Sequence, residues 1–283
     1  MAIILGLLAS ITYGTADFLG GLLTKRAGVL RVVVVSQLIG TVLLAITLPF
    51  FLNDDFSQQS FAWGAGAGIA GTAGVTMLFR GLARGRMSVI APITGVIAAG
   101  IPVFVGLISG ERPGALALAG VGVALAAVAL VSSSAETTME PGEDGTTRAR
   151  GLSEAFGAGM MFGLFFVLLD KAGDTAGLWP LAGARLSSLT ILVIAVLVTR
   201  APIKPPPGTL IGIGAAGVLD VAANLFYLLA TREGLLALVA VLTSLYPATT
   251  VVLARFVLKE RLTVPQLAGL LLAGVGVGAI AAG

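Results

Sequence analysis

No cysteine and no histidine occur anywhere in the 283 residues. The first absence excludes disulfides and thiolate metal sites. The second removes the commonest metal ligand and the usual neutral-pH base. Charge is scarce too: Asp, Glu, Lys and Arg make up 11% of the chain, against roughly 25% in soluble domains. No glycine-rich phosphate loop flanked by strand and helix is present, so direct use of ATP has no support. What fills the chain is apolar, 57% of all residues, more than a water-soluble protein of this length needs. The net charge of +3 comes from lysines and arginines at the ends of apolar runs. That pattern signals orientation in a membrane, not nucleic-acid affinity.

The few charges cluster in short polar islands and leave apolar runs of roughly 20 residues, the length that spans a ~30 Å hydrocarbon core. Ten spans follow, at approximately 2–24, 32–52, 61–82, 88–109, 114–132, 151–170, 178–199, 209–231, 235–257 and 262–282. Each is expected to be an α-helix, because backbone in lipid must satisfy its own hydrogen bonds. A β-barrel is excluded by run length, since its strands are about 10 residues of alternating polarity. The first run outlasts a signal-peptide core and ends at Lys25-Arg26 without a cleavage pattern, so an uncleaved first helix is expected. Connections are short except for 133–150, rich in Ser, Thr, Glu and Gly, which reads as a linker between halves.

Those halves match one another. Glu111-Arg112 and Glu260-Arg261 are 149 residues apart. The same offset lays Leu118-Ala119-Gly120 on Leu267-Ala268-Gly269, Gly85 on Gly234, Gly28 on Gly177, and Tyr13-Gly14 on Phe162-Gly163. The domain reading is therefore a first five-helix repeat at 1–132, a polar linker, and a second repeat at 151–283. Loop charge supports inversion. The loops after spans 1, 3, 5, 7 and 9 hold Lys25 and Arg26, Arg84 and Arg86, Arg148 and Arg150, Arg200 and Lys204, and Lys259 and Arg261. The opposite loops hold only Arg112, Lys171 and Arg232. The basic loops follow the first and third helices of one copy but the second and fourth of the other. Two odd-numbered units lying inverted in one bilayer require this alternation. The positive-inside rule then places both termini outside the cytoplasm.

Several of these residues carry a resemblance. Tyr13-Gly14 lies mid-way along span 1, and Tyr246-Pro247 lies in span 9. Gly110-Glu111-Arg112 and Leu258-Lys259-Glu260-Arg261 follow each fourth span, and an Ala-Gly pair follows each Glu-Arg. Together these resemble the EamA-type unit of the drug/metabolite transporter superfamily, over almost the whole chain. The first copy departs from the pattern with Ile97-Ala98 where Tyr-Pro stands in the second, and the second has Phe162-Gly163. The resemblance implies alternating-access transport of small organic solutes through a cavity lined by helices 1, 3, 4, 6, 8 and 9. Helices 5 and 10 would then be peripheral, and helices 2 and 7 would line little of the path. Relatives of this size commonly keep their termini in the cytoplasm, opposite to the loop-charge reading.

Chemistry inside the spans rests on few residues. Asp17 lies at a depth of ~10 Å in span 1, and Asp220 lies near the middle of span 8. A central carboxylate costs about 2.5–3.5 kcal/mol on insertion scales, so a partner or water is expected. Helical spacing groups Ser10, Tyr13 and Asp17 on one face, and Gly217, Asp220, Asn224 and Tyr227 on another. The rival reading has the aspartates paired with Arg80 or a neighbouring helix as packing glue. Arg185 in span 7 is suited to a substrate carboxylate, or to snorkelling, or to pairing with Glu111. Thr243, Tyr246 and Thr250 share span 9 with Pro247, which removes a backbone donor. Gln37 in span 2 is a weaker candidate. The Glu-Arg pairs read as helix caps, and Gly64-Gly68 and Gly274-Gly278 as close helix contacts.

The reading is a secondary transporter of a small organic metabolite or drug-like solute, multi-pass in the cell membrane and monomeric. It has no cofactor, metal or nucleic-acid partner. Export is favoured, and proton coupling through Asp17 or Asp220 is one option. Alternatives are a sugar or metabolite uptake permease and a lipid-scrambling or scaffold protein. An intramembrane aspartyl protease is disfavoured because Leu219-Asp220-Val221 lacks flanking glycines.

Overall fold

The computed structural model describes residues 1–51, 56–84, 87–133, 145–173, 177–259 and 263–282. Most of the 133–150 linker, Gly85 and Glu260-Arg261 lie outside the described residues. The fold is helical, with no strand among the described residues. Its helices are α1 (Ala2–Ala27), α2 (Val29–Thr47), α3 (Gln58–Arg84), α4 (Met87–Ile108), α5 (Ala115–Ser133), α6 (Gly145–Asp170), α7 (Trp179–Thr199), α8 (Leu210–Glu233), α9 (Leu236–Thr243), α10 (Tyr246–Val257) and α11 (Val264–Ala282). Among the described residues, eight segments are long and apolar enough to cross a membrane, the eighth being Leu236–Val257 taken across α9 and α10. The apolar stretches Ala115–Ala127 and Leu267–Ile280, within α5 and α11, are shorter. Outward faces are apolar: Ile211 is 88% exposed and Val264 83%, which suits lipid tails and not water.

The expected continuous helix at 235–257 is two helices. α9 stops at Thr243 and α10 starts at Tyr246. Pro247 sits in the first turn of α10, where its missing N–H is harmless. Ser244 N–H and Leu245 N–H instead bond back to Ala240 O (2.8 Å) and Leu242 O (3.3 Å), closing α9. The first copy is continuous at the matching Ile97-Ala98, although α4 contains Pro92 and Pro102. Gly95 of α4 accommodates the break, because a Cβ there would lie 2.6 Å from Pro247 Cγ. α6 starts at Gly145, before the expected 151, since the polar turn ahead of the apolar stretch is helical too.

Gly28 and Gly177, matched by the 149-residue offset, both have positive φ, +82° and +48°. Only glycine adopts that geometry freely, so each can redirect the chain sharply between helices. At Gly28, α1 ends and α2 begins without an intervening loop.

Packing pairs recur under exchange of the halves. α3 packs on α6 as α8 packs on α1, and α3 on α7 as α8 on α2. α4 packs on α6 as α9 and α10 pack on α1, while α5 and α11 pack on each other. Small residues let the backbones approach, as membrane helix packing requires. A Cβ on Gly68 would stand 2.1 Å from Ala184 O, and one on Gly217 would stand 2.3 Å from Ser36 O. A Cβ on Gly64 would stand 2.0 Å from Pro180 O, so Gly64-Gly68 is a helix contact between α3 and α7. Gly274 and Gly278 are not one: nothing lies within 4 Å of a Cβ at either. The close α5–α11 contact runs through Gly276, where a Cβ would lie 3.0 Å from Gly120 O, on the opposite face of α11.

Glu111 caps a helix that is not its own. Its Oε1 accepts from Leu236 N–H (2.8 Å) and its Oε2 from Ala237 N–H (3.0 Å), the open first turn of α9. Arg112 donates to Leu107 O (3.2 Å) and Glu111 O (2.9 Å), holding the loop after α4.

Candidate functional site

A cavity opens between the helix pairs α1–α8 and α3–α6. Six of the residues singled out from sequence line it: Tyr13, Asp17, Arg185, Asp220, Asn224 and Tyr246. Gln37 joins them. Tyr227 and Thr243 do not. Tyr227 is fully buried, its hydroxyl donating to Phe166 O at 3.1 Å and its ring 4.5 Å from that of Phe166. Thr243 is likewise fully buried, at the end of α9.

A hydrogen-bonded chain crosses four helices. Arg185 of α7 donates through Nη1 to Gln37 Oε1 of α2 and through Nη2 to Asp220 Oδ2 of α8, the latter at 2.6 Å. Asn224, one turn on, donates to Asp220 O (2.6 Å) and accepts from the Tyr13 hydroxyl of α1 (2.9 Å). Asp220 thus pairs with Arg185, not with Arg80, and Arg185 pairs with Asp220, not with Glu111. Its guanidinium is held by two partners, an arrangement that suits the flat fork of arginine. Burial makes this network consequential, since an unpaired charge here would carry the full cost of desolvation.

Asp17 stands apart. It is 7% exposed and lines the cavity, yet no hydrogen bond or ion pair engages it among the described residues. It is within electrostatic reach of Asp220 and of Tyr246. The Tyr246 hydroxyl is also buried without a partner. The break before α10 puts Tyr246 on the cavity wall, and Gly14 lets α1 abut that break: a Cβ there would lie 2.3 Å from Tyr246 O. Thr250 ties the two helices together by donating to Gly14 O at 3.1 Å.

Another wall is aromatic. Phe162, Phe165 and Phe166 of α6 line it with Gly71 and Val75 of α3. Phe166 lies edge-on to Tyr13 and to Phe165, with ring centroids at 6.2 Å and 5.6 Å. Phe162 entered the sequence reading only as the counterpart of Tyr13, and Phe165 and Phe166 were not picked out, since apolar residues in an apolar helix carry no mark. The repeat offset marks two of them: it lays Tyr13 on Phe162 and Asp17 on Phe166, and likewise Gly71 on Asp220 and Val75 on Asn224. Each polar liner of α1 and α8 therefore has an apolar counterpart on α6 or α3.

The lining differs from the resemblance-based expectation in two respects: helices 2 and 7 line it, and helix 4 does not. α2 contributes Gln37, and α7 contributes Leu181, Ala184, Arg185 and Ser188. The close approaches at Gly68 and Gly217 are what bring these helices in. α4, α5 and α11 contribute none of the lining residues. Ser188 is bonded to Thr72 across α3–α7 at 2.7 Å, which spends its hydroxyl on packing. No group of three or more potential metal-ligating side chains occurs among the described residues.

A bundle of apolar helices around a polar-and-aromatic cavity defines a multi-pass membrane transporter, a protein that meets both the bilayer and a small-molecule substrate. The chain belongs to the EamA-like transporter family, whose match covers residues 1–133 and 149–282. That assignment is consistent with the drug/metabolite transporter superfamily, whose EamA members are transporters and not enzymes. A solved crystal structure described only as "Crystal structure of protein" is similar in fold. Its TM-score is 0.73 at 17% sequence identity, over 98% of this chain and 94% of its own. Comparison with curated proteins gave no match.

Proposed function

We propose that this protein is a secondary transporter that carries a small organic solute across the cell membrane by alternating access, in the direction of export. In this reading ten helices form two inverted five-helix repeats, 1–132 and 151–283, and one chain is the working unit. Both termini face away from the cytoplasm, as the loop charges indicate. The packing pairs that recur under exchange of halves support the duplication. So do the twin contacts of Gly68 on Ala184 O and Gly217 on Ser36 O. A cavity between inverted halves is where such transporters bind their cargo.

The observation that carries the reading is Asp17, a carboxylate with no partner facing a cavity whose other charges are neutralised. A lone acid inside a bilayer marks a substrate or proton path. Protons are the coupling ion in this scheme, carried by Asp17 or Asp220. The test is solute flux in proteoliposomes under an imposed proton gradient, using a solute found by thermal-shift screening. Wild-type protein should show gradient-driven flux, and Asp17→Asn or Asp220→Asn should abolish it. Undiminished proton-driven flux in both variants refutes the coupling, and absence of flux for every stabilising solute refutes transport.

A further inference from the structure

The cavity has an aromatic side and one acid without a partner, and together these define a class of ligand. The positive charge of Arg185 is cancelled by Asp220 at 2.6 Å and further held by Gln37. What remains is the carboxylate of Asp17, with the unpartnered Tyr246 hydroxyl near it. An anionic ligand would face that carboxylate and would have to pull Arg185 from two partners. A zwitterion would need the same displacement for its own carboxylate. A cation needs neither: it would act as the counter-ion of the Asp17 carboxylate, and an ammonium N–H can donate to both a carboxylate and a phenol oxygen.

The aromatic side speaks for the rest of the molecule. The repeat offset lays Phe162 and Phe166 of α6 on Tyr13 and Asp17 of α1, so the cavity carries an apolar surface on one helix and the acid on another. Phe165 extends that surface. Aromatic faces hold apolar bodies, and they also favour cations over anions. From this juxtaposition we infer that the ligand is an amphipathic organic monocation, its protonated amine between Asp17 and Tyr246 and its apolar body against Phe162, Phe165 and Phe166. The inference names the cargo class for the transport reading above, but the binding it describes is measurable without transport.

The experiment is isothermal titration of the purified full chain in lipid nanodiscs with matched probes of one shape. These are 2-phenylethylammonium, the neutral 2-phenylethanol and the anionic 3-phenylpropionate. Wild-type protein should bind the cation at least tenfold more tightly than the alcohol, and the anion not measurably. Asp17→Asn should weaken the cation at least tenfold while leaving the alcohol within about twofold, and Asp17→Glu should keep the preference for the cation. Phe165→Ala should weaken 2-phenylethylammonium but not methylammonium. Cation binding unchanged in Asp17→Asn, anion binding equal to cation binding, or no saturable cation binding at millimolar concentration overturns the inference. If Asp17→Asn does not fold, the wild-type ranking and Asp17→Glu still decide. Proteoliposome flux separates the two ideas. Asp17-dependent binding without flux leaves the ligand class standing and removes transport, whereas flux of an anion indifferent to Asp17 does the reverse.

Discussion

Gly68→Ala and Gly217→Ala should each destabilise the protein, although alanine is the better helix former. Replacing glycine by alanine in a helix gains about 1 kcal/mol from backbone propensity. Against this, a Cβ would meet Ala184 O at 2.1 Å from Gly68, or Ser36 O at 2.3 Å from Gly217. Both obstacles are backbone atoms in helices and cannot rotate away, so the helices must part by about 1 Å. Overpacking of this kind costs typically about 1–3 kcal/mol, occasionally more. With the overpacking term at its upper end, as an immovable backbone obstacle requires, the net expectation is a loss of roughly 2 kcal/mol at each position. The two contacts share no residues, so the losses should add. Gly274→Ala and Gly278→Ala face open space and should gain up to about 1 kcal/mol from the same propensity term. Equilibrium unfolding of the four variants in mixed micelles, by added ionic detergent, measures the signs. The reasoning fails if Gly68→Ala matches wild type, or if Gly278→Ala loses as much as Gly68→Ala. A secondary readout follows from the geometry: parting α3 from α7, or α8 from α2, loosens the Gln37–Arg185–Asp220 chain, so ligand affinity should fall with stability at positions 68 and 217 only.

Two further outcomes follow. Arg185→Met leaves Asp220 without its counter-charge and should cost about 3–5 kcal/mol, while the double change with Asp220→Leu recovers most of it; a double-mutant cycle in the same unfolding assay tests this. Glu111→Ala removes both acceptors from the first turn of α9 and should cost about 0.5–2 kcal/mol. Hydrogen exchange at the Leu236 and Ala237 amides should quicken, with no change at the Arg185 network.

The helices were legible because run length and the demand for internal hydrogen bonding leave little choice in lipid. Polar liners of the cavity were legible for the same reason: Tyr13, Asp17, Arg185, Asp220, Asn224 and Tyr246 stand out in apolar surroundings. Spacing misled where a face was followed too far. Tyr227 continues the stripe of Asp220 and Asn224, yet it is fully buried in the core, its hydroxyl donating to Phe166 O. Gly274-Gly278 has the spacing of a contact, but the partner helix lies on the face of Gly276. The break at Ser244-Leu245 was only half legible. Pro247 announced a lost bond, but α4 shows that Pro92 and Pro102 fit inside an unbroken helix. The aromatic wall could not be seen from composition or periodicity at all. Comparing the halves residue by residue finds it, because divergence between copies singles out Phe162 and Phe166 as the counterparts of Tyr13 and Asp17.

That divergence has a physical reason at the centre of the network. Gln37 follows the carbonyl of Ser36, on which Gly217 rests, and Arg185 follows the carbonyl of Ala184, on which Gly68 rests. Each side chain follows one of the twin contacts, and the two meet. The 149-residue offset lays Ser36 on Arg185 and Gln37 on Leu186, so neither side chain has a like residue as its counterpart. Asp220 itself has Gly71 as its counterpart, so only one carboxylate faces the single guanidinium. Joining both copies in one chain lets the matching positions differ, and the difference is what makes one wall of the cavity polar, internally neutralised, and free to leave Asp17 as the group without a mate.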